Sequence, residues 1–163
     1  MKKKIAVIAG VLLLGDVYKR QGGNCQNYAS QCLLAGGIPM GLEGSAVWKW
    51  YSDALYNDNT SRGRSSSWTG VDEFMQYAAA NEGFGLAALS DAPWLSGQPG
   101  DLIHLGVLGE WRHTAMICER IVNEAGETGD YLVVSNTQNL QDYPVSLYGY
   151  TQFQLTRIAG WND

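Results

Sequence analysis

Asn24-Cys25-Gln26-Asn27-Tyr28-Ala29-Ser30-Gln31-Cys32-Leu33-Leu34-Ala35-Gly36-Gly37 reads as a helix with both ends written into it. Gly22-Gly23 breaks whatever precedes, Asn24 is a favoured N-cap residue, and Gly36-Gly37 stops the helix as a C-cap. Between these ends Cys25, Tyr28, Ala29, Cys32 and Leu33 recur at three- and four-residue spacing and form one stripe. Further on, Thr69-Gly70-Val71-Asp72 has the form of a capping box with an acid at its third position. Val71, Phe74, Met75 and Ala78 are the apolar face of the helix it opens, which ends near Asn81 and Gly83. The C-terminal half changes character. Gln98-Pro99-Gly100-Asp101 is a turn, 102–105 a short strand, 113–122 an alternating strand, and 123–130 a Gly-containing turn. Residues 131–136 are β-rich, and 151–159 make a last strand. Helices first and an antiparallel sheet afterwards predict the α+β class. No internal repeat interrupts that order.

A chain of 163 residues, 45% apolar and 17% charged, has enough core for one domain and is neither disordered, collagen-like nor coiled-coil. Its net charge of −5 is unevenly spread. Residues 1–20 hold five basic groups and one acid, leaving 6 basic and 15 acidic groups in 21–163. So acidic a body repels phosphate, which argues against nucleic acid or an anionic membrane as partner. Lys2-Lys3-Lys4 and the apolar run 5–15 read as a secretory signal, too short to span a bilayer. No small-residue cleavage site follows, and Asp16-Val17-Tyr18-Lys19-Arg20-Gln21 has the look of a fusion scar or linker. The expected organisation is therefore 1–21 as signal-like segment or scar and 22–163 as one domain. Export or cell-wall association is the expected location.

Three cysteines are too few for a disulfide scaffold, and Cys25 and Cys32 lie about 10 Å apart along one helix, too far to bridge. Cys25 differs from Cys32 in position. At a helix start the unpaired backbone N–H groups and the macrodipole favour an anion, and the thiolate is the nucleophilic form of cysteine. The plain alternative is a small buried residue. Of the two histidines, His104 sits in an apolar strand and reads as structural. His113 begins the longer strand. A hairpin pairing 122 with 127 would place His113 opposite Asn136, with Cβ atoms about 5 Å apart. A base oriented by a third polar group is what a cysteine nucleophile needs, and its imidazolium form would hold the thiolate. The cysteine spacing does not suit zinc, and no serine-hydrolase or phosphate-loop motif occurs. No metal or other cofactor is expected. The tryptophans fit a cleft wall or the core.

Residues 24–37 resemble the DCTNFVSQ-x-L-x-AGG opening of the bacterial putative amidase domain, a family of papain-like cysteine hydrolases related to NlpC-type and CHAP-type cell-wall enzymes. The likeness continues through Trp48-Lys49-Trp50-Tyr51, Ser67-Trp68, Pro99-Gly100-Asp101-Leu102-Ile103 and His113-Thr114-Ala115-Met116-Ile117. It ends in Ser135-Asn136-Thr137 and Tyr143-Pro144-Val145-Ser146-Leu147-Tyr148. The resemblance implies a papain-like fold, a nucleophile helix followed by an antiparallel sheet. It implies Cys25 as nucleophile, His113 as base and Asn136 as orienting group; Asn24, Trp48, Trp50, Trp68 and Trp111 are the candidate substrate-binding residues. Asn24 stands where the family has an acid, and Asn136 where it often has His. The implied activity is hydrolysis of an amide in a peptide or peptidoglycan-like substrate by a monomer. A non-catalytic wall-binding module and an acyltransferase with the same residues are the alternatives.

Overall fold

The computed structural model describes residues 24–42, 47–52, 62–137 and 139–163. The signal-like segment 1–21 lies outside the described residues. Among the described residues three helices precede the sheet: α1 Cys25–Ala35, α2 Ser66–Thr69 and α3 Val71–Ala80. Six strands follow among the described residues: β1 Gly85–Ala92, β2 Leu102–Val107, β3 Glu110–Val122, β4 Thr128–Ser135, β5 Leu140–Pro144 and β6 Gln152–Asn162. They form one sheet of order β1-β6-β2-β3-β4-β5, antiparallel at every described pairing. The expected α+β class is this mixed architecture.

The two helix starts differ from expectation. Asn24 does precede α1, but its side chain makes no capping bond; its Oδ1 accepts a hydrogen bond from Asn27 Nδ2 at 2.7 Å. Thr69 is not the N-cap of α3, because it is the last residue of α2. The chain turns at Gly70 (φ −94°, ψ 136°), which has no side chain to cap with. Asp72 and Glu73 in the first turn face the positive end of α3 instead. Two strands, β1 and β5, were not foreseen. β1 is Gly- and Ala-rich, and is extended because it docks along β6 at the sheet edge with two irregularities in register.

Each sheet face buries its own core. On one, Leu102 and Met116 pack beneath Ala29, Cys32, Leu33 and Phe74 of α1 and α3. On the other, Ile103, Leu105, Ala115, Ile117, Tyr131 and Val133 pack with Val145. The alternation in β2 and β3 therefore serves two cores rather than one core and solvent. Asp101 pins the turn before β2: its Oδ1 accepts from Ile158 N at 2.8 Å and its Oδ2 from Gln98 N at 2.8 Å.

Trp48 and Trp68 are wholly buried in the helix-side core, with ring centroids 4.7 Å apart. A ring without exposure cannot touch substrate, so the cleft-wall role read for these two is corrected to core. The polar stretch leading into α2 also enters the core. Residues 57–61 lie outside the described residues, but Ser65 and Ser67 are buried, with their hydroxyls 2.8 Å apart. Replacing Trp48 by Ala should cost about 3–5 kcal/mol, through the cavity and the lost stacking. The indole also donates to Ser30 Oγ at 3.1 Å. Urea unfolding of Trp48→Ala checks this; a midpoint equal to wild type would contradict the burial.

Candidate active site

A chain of buried hydrogen bonds places the start of α1 against the sheet. Thr114 Oγ1 donates to Gln26 Oε1 at 2.8 Å, and Gln26 Nε2 donates to Ser30 Oγ at 3.2 Å. Ser30 Oγ in turn donates to Trp68 O at 2.9 Å. Because the Thr114 proton is committed to Gln26, His104 Nδ1 must donate to Thr114 Oγ1, 3.1 Å away. His104 Nε2 then accepts from Thr156 Oγ1 at 3.1 Å, which defines a neutral Nδ1–H tautomer. Burial agrees, pushing the His104 pKa down to about 3. His104 is a structural clamp joining β6, β2, β3 and α1, in line with its reading from the sequence. Gln26, Ser30, Thr114 and Thr156 were missed, since nothing local marks a polar residue as one link of such a chain.

Cys25, held by this clamp, is 2% exposed and packs with Val71, Met75 and Trp111. Trp111 reaches it because Gly106 lies opposite: a Cβ at Gly106 would stand 2.6 Å from Glu110 O and 3.0 Å from the indole. Trp50 is partly buried against Trp68, centroids 6.2 Å apart, away from the thiol's own cluster. All three cysteines are free thiols. Burial raises Cys32 to about 11, against an opposing bond from Tyr28, and raises Cys118 to about 11 with Asp142 adding to it.

His113 is 4% exposed, and its buried Nε2 has no hydrogen-bond partner. Its ring lies beside Tyr148, centroids 5.4 Å apart, and parallel to Tyr150 at 6.1 Å and 3°. Desolvation lowers its pKa to about 4, so the imidazole is neutral at pH 7. No hydrogen bond joins it to Cys25. The imidazolium expected from the sequence is therefore not the form that His113 takes at pH 7. Of the two rings, Tyr148 lies nearer to His113. Its hydroxyl pKa is raised chiefly by burial, with Tyr143, Tyr150 and Cys25 adding, while a bond to Ser135 at 3.2 Å opposes. The ladder pairs Met116 with Val134 as its first β3–β4 partners, so 110–115 run without a β4 neighbour. His113 lies on that stretch.

The expected facing of His113 and Asn136 is corrected by the same ladder. Met116 pairs with Val134 and Ile117 with Val133, and irregularities at 117/119 and 121/122 shift the hairpin from the simple count. Asn136 falls in the turn just after β4, where its carbonyl accepts from Asn139 N at 3.3 Å. It remains next to Ser135, the partner of Tyr148.

Both histidines tie stability to acid. Their folded pKa values lie below the usual 6.5, so the unfolded chain binds more protons between about pH 6.5 and 4. Stability is full above that window and falls as pH drops through it. Melting temperatures measured from pH 7 to 4 should decline steadily, and His104→Gln should flatten the slope. An unchanged slope in that variant would contradict the neutral clamp.

Among the described residues no cluster of three or more His, Cys, Asp or Glu could hold a metal ion, and no helix is long and apolar enough to cross a membrane. A family model described as the putative amidase domain matches residues 16–158. No curated protein and no solved structure matches the chain.

Proposed function

We propose, for a chain that belongs to the putative amidase domain family and so to amide hydrolases at the coarse level, that Cys25 and His113 carry the reaction as nucleophile and base. One observation supports this most: His113, on the stretch of β3 that β4 leaves unpaired, has a buried Nε2 without a hydrogen-bond partner. Buried polar atoms are almost always satisfied, and an orphan of this kind asks for a functional explanation. The reading is papain-like in arrangement, with a cysteine on the first turn of a helix packed on an antiparallel sheet.

In this mechanism Cys25 Sγ attacks the substrate carbonyl carbon while its proton passes to neutral His113. The backbone N–H of Cys25 helps hold the oxyanion, and the Asn24 side chain does not compete for the helix start. Collapse breaks the C–N bond, and His113 returns the proton to the departing amine. Water then attacks the thioester, giving one proton to His113, and release of the carboxylate restores the thiol. Asn136 is the third polar group of this reading. A bacterial cell-wall peptide is the proposed substrate class, and an exported monomer the proposed setting. The binding-module alternative loses two of its aromatic platforms to the core, because Trp48 and Trp68 are wholly buried.

Timed alkylation with iodoacetamide at pH 7 tests the assignment. Exposure alone favours Cys118, which is only partly buried. An activated nucleophile predicts that Cys25 is modified first, with peptide mapping as the readout. Modification of Cys118 ahead of Cys25 would make Cys25 a packing residue.

A further inference from the structure

A cleft of about 410 Å³, within the size range of small-molecule sites, opens on the sheet face opposite the helices. Trp94, Val145 and Phe153 form its apolar lining, and Asp130 and Ser146 its polar part. Gly129 also lines it, and a Cβ there would meet nothing closer than Ile121 O at 3.9 Å, so the space exists for want of a side chain. Trp94 is held edge-on, 5.3 Å from Tyr131 and 5.8 Å from Phe153. Asp130 Oδ2 accepts from Ser146 Oγ at 2.7 Å and from Ser146 N at 3.3 Å. Among the described residues its Oδ1 receives no hydrogen bond and neither oxygen meets a Lys or Arg. A fixed carboxylate beside indole and phenyl rings attracts a cation by charge and by the rings' quadrupoles, while the chain's net charge of −5 turns anions away.

We propose that this cleft binds an alkylammonium group, its carbon chain against Trp94 and Phe153 and its charge on Asp130. The cleft adjoins the candidate site. Phe153 and His113 are both cross-strand partners of Leu105, so they stand in one row, about 10 Å apart across two strand spacings. Ser146 precedes by two residues the Tyr148 that touches the His113 ring. The ammonium is therefore that of a lysine-like substrate side chain, within about three extended residues of the scissile carbonyl. This second step rests on the reading of Cys25 and His113 given above.

Calorimetric titration of the whole protein with n-pentylammonium and with n-pentanol tests the first step without any chemistry. Pentylammonium should bind at least 10-fold more tightly than pentanol, and Asp130→Asn should erase the difference with an unchanged melting temperature. Gly129→Leu should block both ligands by filling the space. Equal affinities, no binding, or an Asp130→Asn protein that still discriminates would overturn the proposal, even if Gly129→Leu fails to fold. For the second step, peptide amides bearing lysine or norleucine are compared. A preference for lysine of about 10-fold in kcat/KM, lost in Asp130→Asn, is the expected result. Intact ammonium binding with no such preference overturns the subsite, whereas intact binding with no turnover of either amide tells against Cys25 and His113 instead.

Discussion

Cys25→Ser should abolish amide hydrolysis, lowering kcat/KM by at least about 10⁴-fold, while the protein melts as the wild type does. The scale follows from what removal of a nucleophile does to enzymes whose catalytic groups act as a unit. A serine hydroxyl is a poor nucleophile without a strong base, and the His113 imidazole is neutral and makes no bond to position 25. The fold should survive because Cys25 belongs to a small satellite cluster with Val71 and Met75 rather than to either main core. Cys32→Ser is the matching control. That thiol is wholly buried beside Tyr28 in the helix-side core, so its loss should lower the melting temperature and leave kcat/KM near wild type. An inactive Cys32→Ser beside an active Cys25→Ser would mean that the wrong thiol carries the reaction.

His113→Ala should lower kcat/KM by at least about 10³-fold, and the wild-type pH profile should show why. A general base works only unprotonated, and burial brings the His113 pKa down to about 4. Activity should therefore persist well below pH 6.5, with the acid limb of kcat/KM near pH 4 to 5. An acid limb at pH 6.5 would place the working imidazole in water, contrary to its burial. Asn136→Ala should cost less, at most about 10²-fold, since Asn136 sits in the turn after β4 and can act on His113 only as a positioning group. His113→Ala should not disturb the His104 clamp, whose links to Thr114 and Thr156 do not involve it.

The boundaries of α1 and the existence of β2, β3, β4 and β6 were legible because they rest on local features. Spacing, a terminal Gly pair and β-rich runs act over a few residues, and the finished fold obeys them. The position of Cys25 at a helix start was legible for the same reason. β1 was not, because its residues carry little strand preference of their own and become extended by pairing with β6. Trp48 and Trp68 show the limit for side chains: aromatic residues suit a cleft wall and a core equally well, and only α1 and α3 closing over them decide for the core.

The site divides along the same line. Sequence alone determined which thiol begins a helix, which histidine begins a strand, and that the two could serve one reaction. Tertiary structure decided that no hydrogen bond joins them, that burial leaves His113 neutral, and that Asn136 lies beyond the ladder. The physical reason is register. Each irregularity in the β3–β4 pairing changes by one the count that sets residues opposite each other. Where such irregularities fall depends on how two cores pack on opposite faces of one sheet, which no local pattern of residues encodes.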